Sequence, residues 1–187
     1  FKKFKECGKE LIRGGRIQEF VFNENKGLLI TTGDLKKDFP NQLPQDDKSI
    51  FGKVLFINLN TKDYIVYSKG HRNAQGLAVK KNIILSSEHG PKGGDEINNI
   101  TFKKNYGWPK ASYGESYSSL RSYQQSHKEN GYEEPIKTFV PSIGISEIIF
   151  LPETFYKKWE NNILITSLAD KSIYRAKFED RSFTKIL

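Results

Sequence analysis

Residues 75–89 decide the fold of this chain, and they read Gln-Gly-Leu-Ala-Val-Lys-Lys-Asn-Ile-Ile-Leu-Ser-Ser-Glu-His. Two apolar runs flank the polar segment Lys-Lys-Asn at 80–82. Short apolar runs on either side of a polar turn are typical of a β-hairpin. The second run ends in serines, an acid and a histidine, so this hairpin should deliver polar side chains to one end of a sheet.

The same order of features occurs twice more along the chain. Residues 18–34 place two apolar runs around a turn at 23–27, and residues 146–170 place two around a longer loop; each unit ends in an aspartate. Hairpins of one design at such spacing are typical of a propeller or a related β-repeat. We therefore predict an all-β fold of about three to four blade-like units, in one domain spanning residues 1–187. Asp34, His89 and Asp170 should then collect near a common axis.

Composition restricts the classes of partner. Hydrophobic residues make up 36% of the 187 residues, which suits thin β-layers with long loops. The net charge of +8 would suit nucleic acid, but the lysines are scattered and separated by acids, so we expect no nucleic-acid partner. No apolar run reaches transmembrane length, and we expect no membrane span. The single cysteine, Cys7, excludes an internal disulfide and leaves the compartment open.

Two segments are richer in charged, amide and glycine residues than segments that form a hydrophobic core. Residues 70–78 read Gly-His-Arg-Asn-Ala-Gln-Gly-Leu-Ala, and residues 87–98 read Ser-Glu-His-Gly-Pro-Lys-Gly-Gly-Asp-Glu-Ile-Asn. A Gly/Pro turn with outward carbonyls, flanked by carboxylates, gathers the hard oxygen ligands that calcium prefers. Arg72 offers a planar fork for a carboxylate. The alternatives are a solvated acidic turn and, for Arg72, a structural ion pair.

These segments, followed by Asn-Tyr-Gly-Trp-Pro at 105–109, resemble the soluble quinoprotein sugar dehydrogenases of the glucose/sorbosone dehydrogenase family. That family carries Gly-His-Arg-Asn-Pro-Gln-Gly-Leu-Ala, then Glu-His-Gly-Pro-x-Gly-Gly-Asp-Glu-Ile-Asn, then Asn-Tyr-Gly-Trp-Pro, in this order. Weaker similarity extends over nearly the whole chain. The resemblance implies a six-bladed β-propeller that binds pyrroloquinoline quinone (PQQ) and calcium, here incomplete.

The resemblance also implies an activity and a set of residues. In the family, a sugar passes a hydride from C1 to the quinone while a histidine removes the hydroxyl proton and calcium polarises the quinone carbonyl. The matching positions are Arg72, Asn73 and Lys171 for PQQ, the Gly90 and Pro91 carbonyls for the catalytic calcium, and Asp95, Glu96 and the Tyr106 carbonyl for a structural calcium. His71 and His89 match positions that do not supply the base.

The base position departs from the family pattern. The family's His-x-Gly-Gly-Arg segment corresponds to residues 12–16, which places Ile12 where the imidazole belongs. Isoleucine cannot accept a proton, so we expect no catalytic base here and no sugar oxidation at a family-like rate. The family's Arg-x-Arg pair would fall beyond Leu187, which makes this chain about half of a six-bladed protein.

Further expectations follow if the chain forms about half of a propeller ring. A non-catalytic calcium-binding propeller that binds a carbohydrate or protein partner is the alternative function, because binding needs no base. Exposed propeller edges predict self-association. By resemblance, the partner is a sugar and the location is periplasmic or secreted, although no signal peptide precedes Phe1.

Overall fold

The computed structural model describes residues 14–35, 42–117, 123–177 and 182–185. Within these residues it contains twelve strands and two short 3-10 helices, Lys128–Asn130 and Lys157–Trp159. The strands are β1 (Gly14–Phe22), β2 (Asn25–Thr32), β3 (Lys53–Asn58), β4 (Tyr64–Lys69), β5 (Ala74–Lys80), β6 (Ile83–Glu88), β7 (Asp95–Asn99), β8 (Lys137–Phe139), β9 (Ile145–Phe150), β10 (Asn162–Ser167), β11 (Ser172–Lys177) and β12 (Ser182–Lys185).

The strands form three four-stranded antiparallel sheets, each a meander of consecutive strands. The first strands of the sheets, β1, β5 and β9, lie side by side. This is the arrangement of propeller blades around an axis, so the chain forms a partial β-propeller of three blades. The three predicted hairpins are β1–β2, β5–β6 and β9–β10, and their pairing confirms the prediction.

Alternation along the strands divides the core between two interfaces. In β6, Ile84 packs with Leu29 and Val54 against the first sheet, whereas Leu85 packs with Ile148 and the third sheet. Successive side chains of a strand point to opposite faces, so one strand supplies both interfaces. The second blade is therefore buried on both faces.

One end of the sheets collects the functional loops. An antiparallel meander places the β2–β3, β4–β5, β6–β7, β8–β9 and β10–β11 connections at the same end. Backbone hydrogen bonds tie neighbouring loops together there, from Asp34 N to Arg72 O at 2.9 Å and from His89 N to Asn73 O at 3.1 Å. We call this the loop end. Asp34, His89 and Asp170 all lie in its connections, as the repeat predicts.

The connection between β7 and β8 also reaches the loop end. Tyr106 N donates to Lys69 O at 2.9 Å, and Trp108 N donates to Gly70 O at 3.0 Å. The Asn-Tyr-Gly-Trp-Pro segment thus runs beside the end of β4. This contact carries Tyr106 and Trp108 to segment 70–73, although 30 or more residues separate them in sequence.

A buried lysine fixes the β2–β3 connection. Lys53 is fully buried, and its Nζ donates to the carbonyl oxygens of Leu43 at 2.7 Å, Pro44 at 3.0 Å and Phe51 at 2.9 Å. An ammonium group has three donors, and this cage uses all of them. Because Pro44 O also accepts from Gly70 N at 3.0 Å, the cage supports the backbone that leads into Arg72.

Part of the first sheet is exposed on its outer face. Ile17 and Val21 of β1 are 54% and 59% exposed. An exposed apolar strand face can pair with another surface, but no contact in the structure tests this, and self-association stays a prediction. Among the described residues, no helix is long and apolar enough to cross a membrane.

Replacing Lys53 by methionine should lower the free energy of unfolding by about 3 kcal/mol, because three carbonyl oxygens lose a buried, charged donor. Chemical denaturation measures the change. Lys81→Met is the control, since Lys81 is exposed, and it should change stability by less than about 0.5 kcal/mol. Equal effects of the two substitutions would contradict the role given to the cage.

Candidate functional site

Arg72 enters the loop end between the first and second sheets and is held by backbone oxygens. Its side chain is nearly buried, and Nη1 donates to His89 O at 3.0 Å and to Gly90 O at 2.8 Å. The guanidinium lies 5.3 Å from the centroid of the Trp108 ring. In the described part of the chain no carboxylate forms an ion pair with this side chain, and its buried Nε has no hydrogen-bond partner. The positive charge of Arg72 is therefore positioned but not neutralised by an ion pair.

Glu88 fixes the backbone beneath Arg72. One carboxylate oxygen accepts from the Arg72 backbone N–H, and the other lies 3.0 Å from His71 Nδ1. His71 Nε2 lies 2.8 Å from Ser68 Oγ, and the His71 ring stacks on Tyr106 at 4.8 Å. Because Ser68, His71 and Glu88 are buried, this chain of polar contacts orients the segment 70–73 and is closed to solvent.

Trp108 is anchored from the first blade. Its Nε1 donates to Asp34 Oδ2 at 2.7 Å, and both residues are buried. The hydrogen bond fixes the plane on which the Arg72 guanidinium lies. Sequence reasoning placed Asp34 at this end of the fold but did not assign it this partner.

The other expected cofactor residues differ in their surroundings. Asn73 is buried, and its Oδ1 accepts from Gly14 N at 3.2 Å and from Gln75 Nε2 at 3.3 Å, so it links the β1 and β5 starts. Lys171 is exposed in the β10–β11 turn, with a φ of 52°. It lies at the loop end, yet no contact among the described residues joins it to Arg72.

The turn at 90–94 concentrates oxygen atoms. A side chain at Gly90 would collide with the carbonyl oxygens of Gly93 and Gly94, so only glycine fits there. The Gly90 carbonyl accepts from Arg72, and the Gly90 N–H donates to Asp95 Oδ1 at 3.1 Å. Closely spaced carbonyls fit a hard cation. A cation bound by Gly90 would have to share its oxygen with Arg72.

Asp95 and Glu96 do not meet at one point. The Asp95 carboxylate faces the third blade, where it accepts from Ser142 Oγ at 2.8 Å and Ile145 N at 2.9 Å in addition to Gly90 N. Glu96 is directly opposite Glu88 across the β6–β7 pair, on the face toward the first blade. Adjacent strand residues alternate in direction, so the two carboxylates expected on one ion are on opposite faces of the sheet.

Glu96 has the environment of a cation ligand. Burial, together with the Glu88 carboxylate opposite, raises the pKa of the Glu96 carboxyl well above its ordinary value. Asn98 Nδ2 donates to Glu96 Oε2 at 3.3 Å, and His127 Nε2 is 3.6 Å from Glu96 Oε1. A cation at this carboxylate would offset both unfavourable effects. Sequence reasoning missed His127 because nothing adjacent in the chain marks it.

Glu96, Arg72 and Tyr106 border one small cavity of about 10 Å³ between the blades. In the described ranges, no three His, Cys, Asp or Glu side chains are placed to hold a metal by themselves. Backbone carbonyl or amide oxygens would therefore have to complete any metal site. Tyr106 also lines this cavity, and the role of its carbonyl as a calcium ligand stays a prediction.

The base position cannot be placed, because Ile12 lies outside the described residues. Arg16, from the same segment, is placed: its Nε donates to Gln75 O at 2.9 Å, and its Nη2 pairs with Glu147 at 2.8 Å. These contacts cross from β1 over β5 to β9. Arg16 thus ties together the inner strands of all three blades.

The glucose/sorbosone dehydrogenase family model matches residues 1–186 of this chain. The chain belongs to that family. The aldose sugar dehydrogenase YliI of Escherichia coli strain K12 is 32% identical over 178 residues, which cover 86% of this chain and 46% of that protein. The quinoprotein glucose dehydrogenase B of Acinetobacter calcoaceticus is 30% identical over 141 residues, 75% of this chain and 26% of its own length.

A solved relative has the same fold. The PQQ-bound aldose sugar dehydrogenase of Streptomyces coelicolor superposes with a TM-score of 0.68 at 26% identity, over 94% of this chain and 49% of that one. The chain spans about half the length, or less, of these relatives.

Glu96 should make the metal-free protein less stable as pH rises. Its pKa is raised in the folded state, so the folded protein binds more protons than the unfolded chain above pH 4.5, and the free energy of unfolding falls through that window. Glu96→Gln should remove this fall when unfolding is measured in chelator from pH 4.5 upward.

Asp95→Asn is the matched control for that measurement. It should cost about 1–3 kcal/mol, because three donors lose a charged acceptor, and it leaves the Glu96 carboxyl in place. A pH dependence that is the same in wild type and Glu96→Gln would contradict the assignment of the buried, protonated carboxyl.

Proposed function

We propose that the protein containing this chain binds PQQ and calcium at the loop end and acts on an aldose sugar. The main support for this proposal is the environment of Arg72. Backbone carbonyls hold its guanidinium, which forms no ion pair within the described residues, and its buried Nε has no hydrogen-bond partner. PQQ is a tricarboxylate, and a fixed, unneutralised guanidinium suits a carboxylate. The quinoprotein relative and the PQQ-bound neighbour support this cofactor.

The chain's residues divide the binding tasks. Arg72 receives a cofactor carboxylate, Trp108 fixes the guanidinium plane, and Glu88 fixes the backbone that carries Arg72. Asn73 is a second cofactor contact: its Oδ1 is engaged, and its amide nitrogen, which has no partner among the described residues, is available to a ligand acceptor. Lys171 adds positive charge from the neighbouring blade. Bound PQQ supplies a hydride acceptor for the sugar C1–H bond.

Calcium is assigned to the carbonyls of Gly90 and Pro91. The crowded turn at 90–94 supports this assignment, because it concentrates carbonyl oxygen atoms, and the ion would share the Gly90 oxygen with Arg72. A second cation is assigned to Glu96 and the Tyr106 carbonyl, where the raised pKa of Glu96 favours a positive partner. Asp95 remains an expected ligand by family similarity alone, since its carboxylate is occupied by three internal donors.

We assign no residue of this chain to the removal of the proton from the sugar hydroxyl. Ile12 occupies the position that matches the family's histidine, and it has no atom that accepts a proton. We therefore propose cofactor binding with slow turnover. The periplasmic or secreted location of such enzymes is proposed for this protein on the same similarity.

PQQ binding to purified protein in calcium should be detected by quenching of Trp108 fluorescence and by the quinone absorbance. Arg72→Gln should weaken PQQ binding by about 10- to 100-fold, as expected for loss of a charged hydrogen bond. The control is Arg175→Gln, because Arg175 lies over Trp159 in the third blade, away from the site. Equal PQQ affinity in wild type and Arg72→Gln would contradict the proposal.

Turnover with aldoses should be about 10²- to 10⁴-fold below that of an enzyme with a general base. Dye reduction by PQQ-loaded protein measures it, and Ile12→His should raise the rate if position 12 is the base position. Turnover at ordinary enzyme rates with Ile12 in place would show that another residue removes the proton. Sugar binding without PQQ binding would instead favour the non-catalytic alternative.

A further inference from the structure

A second surface lies at the end of the sheets opposite the loop end. The β5–β6 and β9–β10 connections are at this end, which we call the turn end. The two connections are in contact, because Lys80 Nζ donates to Asn161 Oδ1 at 2.7 Å and lies 3.8 Å from Glu153 Oε1. They therefore form one surface that extends over the second and third blades.

The β9–β10 connection presents two adjacent aromatic side chains to solvent. Phe155 is 63% exposed and Tyr156 is 46% exposed. The connection is closed at its base by the hydrogen bond from Leu151 N to Asn162 O at 3.0 Å. Trp159 N donates to Tyr156 O at 2.8 Å, and the Trp159 and Tyr156 rings lie 5.6 Å apart. The two exposed rings are thus carried by a hydrogen-bonded connection, and such an apolar pair indicates an interaction surface.

Positive charge surrounds the exposed rings. The Arg175 guanidinium lies 5.0 Å from the centroid of the Trp159 ring, and Lys177 pairs with Asn162 at the start of β10. The described basic residues of this surface are Lys80, Lys81, Lys157, Lys158, Arg175 and Lys177, and its described acids are Glu153 and Glu160. An anionic partner complements this charge.

We propose that the turn end docks on the surface of an anionic phospholipid bilayer. Phe155 and Tyr156 enter the headgroup region, and the lysines contact lipid phosphates. Aromatic rings beside basic residues are typical of segments that lie at a membrane–water interface. A bilayer offers an apolar layer beneath a charged surface, which suits this combination better than an acidic protein does.

Docking in this orientation has a consequence for the loop end. Because the two ends of the sheets face opposite ways, the loop end with Arg72 is turned away from the lipid and toward solution. The inference uses none of the residues assigned to PQQ or to a cation. It therefore does not depend on the proposed function.

The test is co-sedimentation of the purified protein with phosphatidylcholine vesicles that contain or lack phosphatidylglycerol, in chelator so that calcium cannot bridge protein and lipid. We expect binding to the anionic vesicles that weakens as salt is added, and little binding to the neutral ones. Lys157→Gln combined with Lys158→Gln should weaken binding about 10- to 30-fold, as expected for two basic residues at a lipid surface.

The matched control for charge is Lys110→Gln combined with Lys128→Gln. Both lysines are exposed in the β7–β8 connection, away from the turn end, and the net charge changes equally. This variant should bind anionic vesicles much as wild type does. Equal weakening by the two double substitutions would show that total charge, and not the turn end, attracts the lipid, and would overturn the proposal.

The aromatic contribution is tested separately. Phe155→Ser combined with Tyr156→Ser should weaken binding by about tenfold or more, since two apolar side chains no longer leave water. Leu168→Ser is the control, because Leu168 is 64% exposed at the loop end, and it should leave binding unchanged. Lipids with brominated chains should quench the fluorescence of wild-type protein and should not quench Trp159→Phe.

All of these side chains are exposed or half-buried, so thermal melting of each variant should match wild type. Equal binding to anionic and neutral vesicles, or lipid quenching that persists in Trp159→Phe, would contradict docking by this surface. Binding to neither kind of vesicle, with retention on an immobilised acidic protein, would assign the surface to a protein partner and overturn the membrane proposal. The PQQ affinity of the same variants should equal that of wild type, which separates this test from the test of the proposed function.

Discussion

The interaction on which the loop end depends is the hydrogen bond from the Arg72 backbone N–H to Glu88. It joins the β4–β5 connection to the end of β6, and the same carboxylate holds His71 in a buried stack with Tyr106. With the backbone fixed, the Arg72 guanidinium contacts the 89–90 carbonyls and the Trp108 face. A charge positioned by neutral groups keeps its capacity to bind an anion.

Because side chains alternate in direction along β7, two residues that are adjacent in sequence have different roles. Asp95 joins the second blade to the third, and Glu96 faces the buried space toward the first. The first carboxylate is stabilised by three donors, whereas the second is destabilised by burial and by Glu88. A structural residue and a candidate ligand thus differ in their environment although their chemistry is the same.

Sequence patterns predicted the blades because each hairpin is local: the runs around 80–82 pair with each other as β5 and β6. By resemblance, the motifs assigned residues 72–73, 90–91 and 106 to a cofactor and its cations, and the structure places these residues at the loop end. The motifs did not predict the opposite directions of Asp95 and Glu96, which require the strand to begin at Asp95. Nor did they predict the Lys53 cage or the His127–Glu96 pair, because these contacts join residues far apart or lie in irregular connections.

The most direct test of the central claim is a crystal structure of the protein grown with PQQ and calcium. The account predicts a PQQ carboxylate on the Arg72 guanidinium, with the Trp108–Asp34 hydrogen bond retained beside it. Electron density for PQQ elsewhere, or an Arg72 side chain paired with a carboxylate of the protein itself, would contradict it.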